Sequence, residues 1–191
     1  MSEWFRTDIG PHFLDCLKFS ERQISIVYSD NREWPWTILG LAALVQAGCA
    51  LYLDERDTMG VATLSDSCKK KTIAALQYNS EEEIPKPYMA PPKILLKRVQ
   101  KESDKIILST ENQKDLLNLI DFRNEFTHLT PKGWSLQATG LPRMAKAVFV
   151  LTQGILSDAG LFRRISNAER EHAKKQCNFG LEHCEKLGIV S

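Results

Sequence analysis

The sequence predicts an all-α protein, folded as a single-domain helical bundle of five to seven helices over residues 1–191. Three observations favour this class. Apolar residues recur at helical spacing along most of the chain. Capping residues, prolines and glycines mark where the helices begin and end. The 191 residues, 43% hydrophobic and 26% charged, are also enough to build one buried core.

The N-terminal part of the chain predicts one long helix. Residues 24–28 fit either a short strand or the end of a helix, and the residues before them are left unassigned. Residues 36–53 are almost wholly apolar, Pro35 suits a first helical turn, and the pattern continues to about Arg56. Because spanning a bilayer takes about 20 apolar residues, this segment falls just short. We therefore expect a helix buried in a bundle core or an oligomer interface, and no membrane.

The rest of the chain divides into further helices on either side of one loop. Residues 79–92 contain three consecutive glutamates and four prolines, and prolines at this density cannot continue a helix. A capping signal at residues 109–112 and Pro131 bound the most periodic segment. The predicted helices are residues 63–77, 92–101, 113–129, 140–157 and 162–187, the last ending at Gly188.

Charge and cysteine usage narrow the class of protein. The net charge of +1 supplies no global field that would draw the chain to nucleic acid or to an anionic membrane. An odd count of five cysteines favours free thiols in the cytoplasm, and the charged N-terminus does not resemble a signal peptide. Zinc ligation is not expected, since the candidate ligands share one helix: His172, Cys177, His183 and Cys184. We expect no cofactor and no metal.

The most informative stretch is residues 118–128. On a helical wheel, Arg123 falls within the apolar stripe formed by Leu116, Leu119 and Ile120. An arginine on an inward face costs desolvation energy unless an anion meets it, and its guanidinium is well shaped to bind a carboxylate or a phosphate. Arg123 is therefore expected to have either an internal acidic partner or an anionic ligand.

His128 is the second candidate in this stretch. It lies about 140° from Arg123 on an ideal helix. Pro131 implies that the helix ends nearby, so a loosened last turn can redirect the imidazole. The negative end of the helix dipole favours imidazolium, which suits a general acid. Asn124 lies about 40° from His128 and is placed to orient it or a substrate oxygen.

These residues, Arg-Asn-Glu-Phe-Thr-His, resemble the signature of HEPN domains. That signature is an arginine, then four to six residues, then a histidine, usually with a polar residue directly after the arginine. Here the spacing is four and the polar residue is Asn124. The helical architecture predicted for residues 36–161 is similar as well, with an apolar helix before the motif and a long helix after a short loop.

The resemblance implies a function. Many HEPN proteins are metal-independent endoribonucleases that form homodimers, with two motifs lining one cleft. By this resemblance, His128 would handle the proton of the 2′-hydroxyl or of the leaving group, and Arg123 would bind the scissile phosphate. Asn124 would be the auxiliary polar residue, and the product would end in a 2′,3′-cyclic phosphate. Such proteins often act as toxins or in antiviral defence, sometimes with an antitoxin partner.

Two alternatives remain open in the sequence. Lys97, Arg98 and Lys101 form either a weak RNA-binding track or a solvated helix face. The protein is either the ribonuclease or a non-catalytic helical dimerisation and interaction module, assembled through residues 36–53. In the module, Arg123 would be a structural ion-pair partner of Asp121 or Glu125. An acid beside Arg123 in a closed site favours the module, whereas an open cleft favours the enzyme.

Overall fold

The architecture is a bundle of α-helices, in agreement with the predicted all-α class. The computed structural model describes residues 8–78, 86–127, 138–158 and 163–190. Over these residues it contains seven α-helices: α1 (Ile9–Val27), α2 (Trp34–Arg56), α3 (Asp66–Tyr78), α4 (Pro92–Glu102), α5 (Thr110–Thr127), α6 (Leu141–Ser157) and α7 (Asn167–Val190). Short 3-10 turns at Asn31–Glu33 and Ala138–Gly140 precede α2 and α6.

Helix α2 is the centre of the bundle. It packs against α1, α4, α5 and α6, and side chains on every side of it, such as Leu44, Leu51 and Tyr52, have no solvent exposure. By length and composition alone it is a candidate membrane span, but 78% of its most apolar window is buried inside the fold. The core helix of a soluble domain meets the same criterion. The expectation of a helix buried in the bundle core is therefore met within one chain.

Several boundaries differ from those expected. Residues 24–27 continue α1, whose N-cap is Asp8, its Oδ1 accepting from the Ile9 N–H at 2.7 Å. Helix α3 begins at Asp66 because Thr63 and Leu64 pair instead with residues 88–90, through a single antiparallel bridge. Helix α7 begins five residues later than expected and continues through Gly188.

Helix α5 carries the candidate motif and is anchored against the core. It packs on α2 and α6, with α4 beside it. The predicted apolar stripe is confirmed, since Leu116, Leu119 and Ile120 are all buried. This packing leaves the C-terminal turns of α5 facing the start of α4.

Candidate functional site

The N-terminal half of α5 holds an ion pair whose carboxylate is buried. The carboxylate of Asp115 is fully buried and accepts two hydrogen bonds from Arg143 of α6, at 2.8 and 3.0 Å. Arg143 also lies 3.1 Å from Glu111. The hydrogen bond and charge of Asp115 raise the pKa of Arg143 above its ordinary value. Arg143 therefore links α6 to α5.

Arg123, in the C-terminal half of the same helix, has no such partner. Its Nη1 donates to Oδ1 of Asn124 at 3.1 Å. Asp121 pairs instead with Lys93, at 2.5 Å between Oδ1 and Nζ, and Glu125 is exposed. Across the described residues, no carboxylate oxygen lies within 4 Å of the Arg123 guanidinium. Of the two expectations for Arg123, the internal acid is therefore not met by Asp121 or Glu125.

A surface cleft of about 710 Å³ opens beside Arg123 and Asn124. Its other walls come from Gln46 of α2, from residues 88–91 and from the first turn of α4. Lys93 and Arg123 are the charged residues on the described walls, and both are cations. The first turn of α4 adds the positive end of a helix dipole. The arrangement suits a small anion or a phosphate group.

The last turn of α5 is regular as far as the structure describes it. The Thr127 hydroxyl donates to the carbonyls of Arg123 and Asn124, each at 3.1 Å. The expected loosening of this turn is therefore not seen up to Thr127. His128 is the next residue in the sequence and lies outside the described residues, so its role stays a prediction.

One wall of the cleft belongs to a strap, residues 86–91, that pairs with the residues directly before α3. The Ser65 N–H donates to the Tyr88 carbonyl at 2.8 Å, and the Ala90 N–H donates to the Thr63 carbonyl at 2.9 Å. Ala90 is buried, whereas the side chain of Tyr88 is 70% exposed at the cleft. The strap falls inside the segment that the sequence analysis treats only as a proline-rich loop, so Tyr88 was not among the candidates.

Arg98 makes structural contacts that neither the RNA track nor the solvated helix face predicts. Its Nη1 donates to the carbonyls of Ala62 and Leu64, each at 2.7 Å, and its Nη2 lies 2.6 Å from Asp66. These partners precede Arg98 by 32 to 36 residues, so local spacing gave no signal of them. Arg98 ties α4 to the loop that pairs with the strap.

Asp57 organises the same loop from its other end. Its carboxylate accepts hydrogen bonds from the backbone N–H groups of Met59, Val61 and Ala62. Burial acts to raise the pKa of Asp57, but these backbone hydrogen bonds outweigh it and hold the pKa below its ordinary value. The loop is therefore fixed by a carboxylate on one side and a guanidinium on the other.

Lys97 and Lys101 are exposed, as a phosphate track requires. Lys93 and Lys97 both line a groove of about 320 Å³ between α4 and α5. The three lysines follow one another at four-residue steps along one face of α4, about 6 Å apart along the axis. The row leads away from the Arg123 cleft.

The cysteines are poor candidates for chemistry. Burial raises the pKa of Cys16 to about 11 and the pKa values of Cys49, Cys177 and Cys184 to about 12. Thiols with such pKa values carry little thiolate near neutral pH. Within the described part of the chain, no group of three or more His, Cys, Asp or Glu side chains is arranged to hold a metal ion.

Comparisons with known proteins give no indication of what this site does. No protein-family model matches the chain, no curated protein matches it, and no solved structure matches it. The fold shown by the structure is an all-α helical bundle, and the arrangement around Arg123 is the feature from which a function can be argued.

Proposed function

We propose that this protein is a HEPN-type, metal-independent endoribonuclease whose centre is Arg123, Asn124 and His128. The observation that supports the proposal most directly is the environment of Arg123. The guanidinium lines an open cleft, is steadied by a neutral amide, and has no carboxylate neighbour among the described residues. A partly desolvated arginine in this state is stabilised by binding an anion.

Arg123 and Asn124 act on the phosphate. One of the five N–H donors of Arg123 is used on Asn124, which leaves the others for phosphate oxygens. Because its Oδ1 faces Arg123, the amide nitrogen of Asn124 remains able to donate to the same phosphate. Lys93, which pairs with Asp121, has further N–H donors at the cleft. Donors fixed in this way stabilise the charge that develops on the phosphate oxygens in the transition state.

His128 handles the proton. In the proposed reaction the ribose 2′-oxygen gives up its proton and attacks the phosphorus, and the bond from phosphorus to the 5′-oxygen breaks. The departing 5′-oxygen takes up a proton, and the products end in a 2′,3′-cyclic phosphate and a 5′-hydroxyl. A histidine can serve either proton transfer near neutral pH. In the sequence it directly follows Thr127, the last described residue of the helix that carries Arg123.

The alternative, a non-catalytic interaction module, loses two of its arguments. It assigns assembly to the apolar helix of residues 36–53, but this helix is buried by its own chain. It also assigns Arg123 to an ion pair with Asp121 or Glu125, and Asp121 pairs with Lys93 instead. Homodimer formation remains part of the nuclease proposal, because in HEPN proteins two motifs face one cleft.

The test is cleavage of a mixed pool of tRNA and mRNA in EDTA. Wild type is compared with His128→Ala, and with His172→Ala as the matched control, since His172 is an exposed histidine of α7 outside the cleft. We expect products ending in cyclic phosphate from wild type and from the control, and a loss of at least about 100-fold in His128→Ala. Equal activity in all three proteins, or activity in none, would overturn the proposal.

A further inference from the structure

Tyr88 is the most exposed aromatic side chain in the described part of the chain. It is 70% exposed, compared with 59% for Trp36 and 58% for Tyr28. An exposed aromatic ring contributes little to folding, because burial of its apolar surface is what stabilises the folded state. Tyr88 lines the same cleft as Arg123, and its exposure therefore calls for a different explanation.

The backbone beneath this ring is held in place. Hydrogen bonds from Ser65 and to Thr63 fix the residues on either side of Met89. The loop that supplies them is itself tied to α4 by Arg98 and closed by Asp57. Tyr88 thus combines an exposed ring with a fixed backbone, and a tyrosine side chain has only two torsion angles to order on binding.

The chemistry of the cleft has two separate parts. Arg123 and Lys93 present positive charge, which suits a phosphate. Tyr88 lines the same cleft and carries an exposed aromatic ring, which suits a flat, apolar ring system. A nucleotide carries both groups, a phosphate and a base, a short distance apart. Free phosphate would use only the first part, and an apolar peptide only the second.

We propose that Tyr88 is a base-binding residue, which stacks on an unpaired base of the RNA whose phosphate lies at Arg123. The inference rests on the proposed function and adds a substrate class to it. Bases within an RNA duplex are stacked on one another and do not offer a free face, whereas bases in loops and single strands do. The substrate is therefore RNA with an unpaired base beside the bound phosphate.

Arg98 supports this role as a positioning residue. It touches no part of the cleft wall that the structure describes, but its hydrogen bonds to Ala62 and Leu64 hold the loop on which the strap is paired. Its effect on RNA is thus exerted through Tyr88.

The test measures binding in the His128→Ala background, so that the RNA stays intact. The probes are a fluorescein-labelled oligouridine, the same strand carrying one 2-aminopurine, and a blunt RNA duplex of equal length. Tyr88→Ala is compared with Tyr88→Phe, which keeps the ring, and with Tyr28→Ala, which removes an exposed ring outside the cleft. Because both positions are exposed, all three variants should keep the fold, and a thermal melt checks this.

We expect Tyr88→Ala to weaken single-strand binding about tenfold, the scale of one lost base stack, and to abolish the 2-aminopurine quenching. Tyr88→Phe and Tyr28→Ala should bind as the parent does. Equal weakening for duplex and single strand would overturn the stacking role. A loss of binding in Arg123→Ala with none in Tyr88→Ala would overturn this inference and leave the proposed function standing. If the parent binds no RNA, both fall together.

Discussion

Each half of helix α5 is associated with one arginine, and the two arginines have different kinds of partner. At the N-terminal half, Arg143 bonds to a carboxylate that has no solvent exposure. At the C-terminal half, Arg123 bonds to a neutral amide at the edge of an open cleft. A guanidinium that meets a buried acid fixes packing, whereas one that meets an amide keeps its charge available for a ligand. The difference lies in the partner rather than in the arginine.

The largest expected effect comes from replacing each of the two arginines by methionine. Arg143→Met leaves the buried carboxylate of Asp115 without its donors, so we expect the free energy of unfolding to fall by about 2 kcal/mol. Arg123→Met removes no carboxylate contact, so its stability should stay within about 0.5 kcal/mol of wild type. RNA cleavage should show the reverse pattern, falling at least about 100-fold in Arg123→Met only.

Urea unfolding and cleavage rates at a temperature where both variants are folded provide the measurements. Arg22→Met is the matched control, because Arg22 is an exposed arginine of α1 away from α5. If Arg123→Met destabilised the fold as much as Arg143→Met does, the contrast between the two halves would be wrong, and Arg123 would be a structural residue.

A smaller effect is expected from making the second half resemble the first. Asn124→Asp places a carboxylate where the amide now accepts from Arg123, with almost no change in shape. The new charge neutralises the guanidinium and repels phosphate, so we expect RNA cleavage to fall about tenfold, with little change in stability. The cleavage rate and the thermal midpoint are measured together.

The control for this variant uses the same charge change on the same helix. Asn112→Asp adds a carboxylate in the first turn of α5, where the helix dipole favours it. Cleavage should be unchanged there. A similar loss of cleavage in both variants would indicate a general effect of net charge, and not a specific one at Arg123.

The smallest expected effect belongs to the lysine row on α4. Replacing Lys97 and Lys101 together by alanine should lower the slope of log affinity against log salt by about 0.7 per lysine for single-stranded RNA. Replacing Lys70 and Lys71, exposed lysines of α3, is the matched control and should leave the slope unchanged. An unchanged slope in the α4 variant would mean that the row is only a solvated face.

Much of the fold could be predicted because short-range sequence signals mark where the helices begin. Helices α2, α4 and α6 each have a proline in their first turn, and all three were placed to within a few residues. The start of α3 was missed for a reason that is not local. Thr63 and Leu64 fit the helical pattern, but they pair with a strap about 25 residues further along the chain.

The site could be predicted only in part for the same reason. The inward position of Arg123 follows from the stripe on its own helix, and so does the need for an anion. Asp121 and Glu125 each lie two residues from Arg123 and so do not share its helix face, and Asp121 pairs with Lys93 of α4 instead. The structural contacts of Arg98 could not be predicted because its partners are mainly backbone carbonyls, which no side-chain pattern reveals. Tyr88 was missed because sequence does not show which loop aromatics stay exposed.

Four buried cysteine thiols make it possible to measure how often parts of the bundle open to solvent. Cys16, Cys49, Cys177 and Cys184 sit on α1, α2 and α7, each with a pKa of about 11 to 12. Alkylating reagents attack thiolates that solvent can reach, so each thiol reacts only while its helix is parted from the core. The labelling rates of the four thiols therefore rank α1, α2 and α7 by how often each helix opens to solvent. Oxidation of these thiols would follow the same order.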